Sequence, residues 1–243
     1  MLDGLKRWLA KASATELPVD ELAAWAQAHQ YGFRAQRDGT GFVVDGRLGA
    51  LPWRMEWGAS QRVYLHGPEL RLRAELGLPS AVQVMVLDRP LQEAMEKSMY
   101  EQYVEGVQTR IDDHAPPEMR WLVMYPKLPG DELKTLRDRF VVVGNREDWL
   151  RLWLEGPLTD ALQAAPLAAG HPLVLMIARG RLTLRTALEA PELPDLQRWL
   201  RLFETASREA RRTANQVADA SAPSTQPSLW SASHLASESR PHA

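Results

Sequence analysis

Apolar residues recur along this chain at two periods, every three to four residues in some stretches and every second residue in others. The changes of period mark the elements. Leu2, Leu5, Trp8 and Leu9 form the apolar stripe of a short amphipathic helix over 2–11, with Lys6, Arg7 and Lys11 off the stripe. A second helix follows Pro18 and Asp20, turns Leu22, Ala23, Trp25 and Ala26 inward, and is ended by Gly32. From Tyr31 the period becomes two, and Asp38-Gly39, Gly41 and Asp45-Gly46 cut the stretch into short strands. Phe42-Val43-Val44 is one strand. Trp53, Met55 and Trp57 share a face of another, opposite Arg54 and Glu56, while Leu70, Leu72, Ala74 and Leu76 alternate with Arg71, Arg73 and Glu75. The stretch from Val82 to Leu87 (VQVMVL) reads as a more buried strand. Connections this short dictate antiparallel pairing.

A helical period returns from Pro90 to Gly106 through Leu91, Ala94, Met95, Met99, Tyr103 and Val104. Trp121 to Tyr125 reads as a strand, Asp131 to Phe140 as a helix, and Val141-Val142-Val143-Gly144 as a short strand. Asn145 is placed to cap a helix through Trp149, Leu152, Trp153 and Leu154, and Gly156-Pro157 leads into another that ends before Gly170. Pro172–Ala178 and Arg181–Leu188 form the clearest hairpin, turned at Arg179-Gly180. The last helix starts near Pro194-Asp195, buries Leu196, Trp199, Leu200 and Phe203, and loses its large apolar residues after Ser207. The expected fold class is α+β, mainly antiparallel sheet packed with helices. Residues 1–205 form one globular domain, with subdivision near 115 as the alternative, and 206–243 form a helix extension and a disordered Ser/Ala/Pro tail carrying Ser228-Leu229-Trp230.

The stretch Phe140 to Leu162 (FVVVGNREDWLRLWLEGPLTDAL), with the hairpin and helix after it, resembles a pattern in a family of uncharacterised bacterial proteins of unknown function. A capped helix with a Leu-x-Gly/Ser-Pro-Leu bend and a closing hairpin recur there. Trp53 to Leu76 is similar to other uncharacterised proteobacterial proteins. The resemblance covers about a third of the chain in capping and core residues, and it implies a fold unit and no activity.

Composition narrows the chemistry. The 243 residues carry 29 Lys plus Arg against 31 Asp plus Glu and include no cysteine. Absence of cysteine excludes disulfides, thiolate zinc sites, iron–sulfur clusters and thiol nucleophiles. The balanced charge argues against a dedicated nucleic-acid binder. No run approaches the length of a membrane-spanning helix, and the N-terminus lacks the apolar core of a secretory signal, so the expected location is the cytoplasm.

Candidate chemistry is sparse. Ile111-Asp112-Asp113-His114 crowds two acids against a histidine, which suits acid–base work or metal ligation but equally a polar loop; His29, His66, His171, His234 and His242 stand apart. Gly58-Ala59-Ser60-Gln61-Arg62 lacks the last glycine of a nucleophile elbow, and Gly39-Thr40-Gly41 lacks the third glycine of a dinucleotide loop. No cofactor is expected. The most suggestive surface is the series Arg54, Arg71, Arg73, Arg181 and Arg185 on predicted strands. Aligned, they would bind phosphate, lipid head groups or an acidic partner; the alternative is cross-strand pairing with Glu56 and Glu75. The functional expectation is a non-enzymatic interaction or regulatory protein with a protein partner. One alternative is a peripheral membrane adaptor inserting Leu5, Trp8 and Leu9 beside Lys6. Another is a hydrolase without a short motif.

Overall fold

A computed structural model of the chain describes residues 18–37, 40–104, 115–165 and 171–221. The N-terminal stripe with Leu5, Lys6, Trp8 and Leu9, the Asp112-Asp113-His114 cluster and the tail from Ala222 lie outside them. The fold is α+β, with a single eight-stranded antiparallel sheet and, among the described residues, seven α-helices. Its strands are β1 (Gly32–Ala35), β2 (Phe42–Leu48), β3 (Leu51–Ala59), β4 (Pro68–Glu75), β5 (Val84–Asp88), β6 (Phe140–Gly144), β7 (Leu173–Ala178) and β8 (Arg181–Ala187), in the order β1-β2-β3-β4-β8-β7-β5-β6. The early meander and the late strands therefore join through β4 and β8, with Leu72 opposite Leu184 and Ala74 opposite Leu182.

One face is apolar across the whole sheet. Phe42, Val44, Trp53, Met55, Leu70, Leu72, Leu184, Leu175, Val86 and Val142 all lie on it, buried under α1 (Val19–Ala28), α5 (Glu147–Leu154), α6 (Pro157–Gln163) and the long α7 (Leu193–Ser221). Trp149, Trp153, Trp199 and Phe203 anchor the helices there, and Trp153 Nε1 donates to the Ala206 carbonyl at 3.1 Å. Tying off that indole N–H is what makes so large a side chain admissible in the core. The other face is divided. Over β5, β6 and β7 it is apolar as well, with Met85, Leu87, Val141, Val143, Val174 and Met176 beneath α2 (Arg89–Val104) and α3 (Pro117–Met124). Strands covered twice favour apolar residues at successive positions, so β6 and β7 read as apolar runs and β5 as one up to Asp88, whereas β3 and β4 alternate. Over β2, β3, β4 and β8 that face carries charges, and among the described residues the helix that reaches it is α3, whose first turn meets β8 through Glu118.

Three local expectations are corrected. Residues 121–125 belong to helix α3 and its C-cap: Pro117 starts the helix, and Glu118, Met119, Trp121 and Leu122 are its buried side. A five-residue apolar run cannot by itself separate strand from helix, and the proline pair decided it. The helix expected over Asp131–Phe140 breaks into α4 (Gly130–Leu133) and a 3₁₀ turn (Lys134–Leu136), because Lys134 takes φ +49°. Asn145 caps no helix: its side chain accepts from the Gln83 N–H at 3.0 Å and donates to the Ala81 carbonyl at 2.6 Å, fastening the loop that enters β5. The last helix also outruns its large apolar residues, since Ala206, Ala210 and Thr213 continue the buried stripe with small side chains.

Gly46 on β2 faces Trp53 on β3, and a β-carbon there would run into the indole ring of this buried tryptophan. Overpacking of this kind costs about 1–3 kcal/mol. Gly46→Ala is expected to lower the urea-unfolding free energy by about that amount without changing the slope of the transition, measured by far-UV circular dichroism.

Candidate functional site

The uncovered half-face places its side chains by strand register. Asp45, Arg54, Arg73 and Thr183 form one row across β2, β3, β4 and β8; Val43, Glu56, Arg71 and Arg185 form the next. All five arginines singled out in the sequence, Arg54, Arg71, Arg73, Arg181 and Arg185, lie on this face, and each is paired. Arg54 Nε donates to Asp45 at 2.6 Å, and Asp45 also takes Arg34 at 2.8 Å. Glu56 accepts Arg71 through Nε at 3.0 Å and again through Nη2, holds Arg73 at 3.0 Å, and stands 3.9 Å from Arg54. Arg181 pairs with Glu75. The cross-strand pairing with Glu56 and Glu75 is thus present, and Glu56 joins Arg54, Arg71 and Arg73 into one array.

The array ends in a buried network that the sequence offered no sign of. Arg185 donates to Glu69, whose second oxygen accepts the Gln61 N–H at 2.8 Å. Arg185 Nε also lies 3.6 Å from Glu118, and Arg62 Nε donates to the same Glu118 oxygen at 3.1 Å. Glu118 is wholly buried and Arg185 is 8% exposed. Tyr64 is half-buried beside them with its hydroxyl shut off from solvent; loss of solvent pushes its phenol pKa up, and the Glu118 carboxylate adds to the effect. This network pins the 60–67 loop and the first turn of α3 against β8, at the seam where Arg185 neighbours the apolar Val174. A cleft of about 410 Å³ opens alongside, lined by Glu56, Glu69, Arg71, Trp57, Ser60 and Gln61 among others. Its carboxylates are already engaged by guanidinium groups.

A second polar cluster sits at the start of β7. Asp88 accepts the Leu91 N–H at 3.1 Å, capping α2, and the Leu173 N–H at 2.6 Å. His171 Nε2 bonds Thr186 Oγ1 at 2.9 Å, and that hydroxyl donates to the Pro172 carbonyl at 2.8 Å. The residue types suggest a catalytic trio, but Thr186 is wholly buried and both Asp88 oxygens are held by backbone donors, so the cluster ties strands together. Among the described residues no group of three metal-ligating side chains gathers, and no helix is long and apolar enough to cross a membrane.

No family model, no curated protein and no solved structure matches the chain. Any functional reading therefore rests on geometry.

Two outcomes follow from the buried groups. Removing one member of a buried ion network strands the others, at about 3–5 kcal/mol. Arg185→Met is expected to cost that much in urea unfolding, while Arg73→Gln, at a 38% exposed pair, is expected to cost under about 1 kcal/mol. His171 has its pKa lowered by burial, with Asp88 and Asp195 opposing the shift only in part. A folded-state pKa below the unfolded value means that the unfolded chain takes up the proton first. This contribution to stability is therefore present above the ordinary imidazole range and lost as pH falls through it. His171→Asn is expected to flatten the decline in melting temperature between about pH 7 and pH 5; an unchanged profile would assign the decline to other groups.

Proposed function

We propose that the protein is a non-enzymatic interaction protein whose uncovered arginine-bearing face takes an acidic segment of a protein partner. The observation that carries this reading is the sign of the face. Arg34, Arg47, Arg54, Arg62, Arg71, Arg73, Arg181 and Arg185 stand on or beside it against Asp45, Glu56, Glu69, Glu75 and Glu118, in a chain whose formal charge is −2. A local excess of cations on a slightly acidic molecule steers anionic partners to one place. The arginines divide into two sets. Arg71 and Arg185, 11% and 8% exposed, fix the array from below, while Arg34, Arg73 and Arg181, 66%, 38% and 51% exposed, are free to exchange their carboxylates for a partner's. Guanidinium forks held in register suit carboxylates spaced along an extended peptide.

The test uses the full chain and a fluorescent polyglutamate peptide, with polylysine and anionic lipid vesicles as comparisons. Binding is expected for polyglutamate alone, to weaken steeply with salt, and to fall about tenfold in the Arg34→Gln, Arg73→Gln, Arg181→Gln triple variant, as loss of about 1.4 kcal/mol over three exposed pairs implies. Equal binding of polylysine, or an unaffected triple variant, would refute the assignment. Binding to vesicles instead would transfer the face to lipid head groups.

A further inference from the structure

A second cavity, of about 430 Å³, lies between α4, α5 and α6, away from the charged face. Its floor is apolar, made by the buried Leu128, Leu133, Leu136 and Leu154. Its rim includes Glu155 and Asp160, two exposed carboxylates with no ion pair among the described residues. An apolar floor beneath free hydrogen-bond acceptors matches an indole: a large apolar body with one N–H that needs an acceptor once water is excluded.

We propose that this cavity seats the chain's own C-terminal segment, with Trp230 as the anchor and Leu229 beside it. Three observations converge. First, α7, the element that leads to this segment, is fastened to the cavity wall: Arg212 Nη2 donates to the carbonyl of Leu152, a lining residue, at 3.3 Å, and Glu209 holds the same guanidinium at 2.6 Å. Second, the distances close. From Arg212 the helix runs about 14 Å further to its end at Ser221, and the eight residues from there to Leu229 reach up to about 28 Å, enough to double back. Third, residues 222–237 carry no Lys, Arg, Asp or Glu, so seating them sets no charge against the rim, and Leu229-Trp230 is the one adjacent pair of large apolar residues in 222–243.

The chain has no cysteine, so engineered pairs report without background. Lys134 lines the cavity and Thr183 stands on the opposite face of the sheet. In the full chain under mild oxidation, Lys134→Cys with Ser231→Cys is expected to form an intramolecular disulfide at least ~5-fold faster than Thr183→Cys with Ser231→Cys, because docking raises the local thiol concentration. Adding Trp230→Ala is expected to bring the first pair down to the rate of the second. In an otherwise unaltered chain, Trp230→Ala is expected to move the methyl resonances of Leu133 and Leu154 and leave those of Leu72 in place. Equal cross-linking of the two pairs, cross-links that form mainly between chains, or Leu133 and Leu154 resonances that do not move would each overturn the proposal.

Discussion

The pairing of β4 with β8 is the constraint on which the rest of this molecule depends. It turns a four-stranded meander and a separate set of apolar strands into one sheet, and its register settles both faces at once. On one side it stacks Leu72 on Leu184 and Ala74 on Leu182, continuing the core beneath α7. On the other it sets Arg71 directly beside Arg185. Two guanidinium groups at that separation repel unless carboxylates come between or beyond them. Glu56 answers for Arg71, and Glu69 and Glu118 answer for Arg185. The charged face is thus what the strand register demands, and the arginine array and the buried network are two ends of one electrostatic solution.

That solution also explains why the 60–67 loop and α3 sit where they do. Glu118 is brought to Arg185 from a helix, Gln61 and Arg62 from a loop, and each meets a partner that is buried in the folded chain. A buried ion network adds little net stability over apolar packing, but it is exacting about geometry, since a misplaced member leaves an uncompensated charge. Its effect is to hold one arrangement of the seam between the covered and uncovered halves of the sheet.

Much of the fold was legible because period and punctuation agree with burial. The alternation of Trp53, Met55 and Trp57 against Arg54 and Glu56 is the sheet's two faces written out, and the apolar run from Val84 to Leu87 belongs to a strand covered on both sides. Where reading failed, the deciding force was not periodic. Pro117 outranked a short apolar run in α3, a positive φ at Lys134 ended a helix no residue type forbade, and Asn145 spent its side chain on a distant loop. The five arginines were found because strand alternation exposes them. Glu69 and Glu118 were missed because an acid on a strand or an α-helix reads as solvated. Only the pairing of strands more than a hundred residues apart reveals that these two are buried.

That same separation governs how the chain must assemble. Glu69 and Arg185 are 116 positions apart, so the central pairing closes a very long loop, and topologies built on such contacts fold slowly. Until β8 has been synthesised, β4 presents an unpaired edge whose neighbouring side chains include Leu70, Leu72 and Ala74, a template that other nascent chains can extend. The arginines of β4 alternate with that apolar row along the same edge. Charges placed in this way are the gatekeepers that discourage a half-made sheet from pairing with the wrong strand.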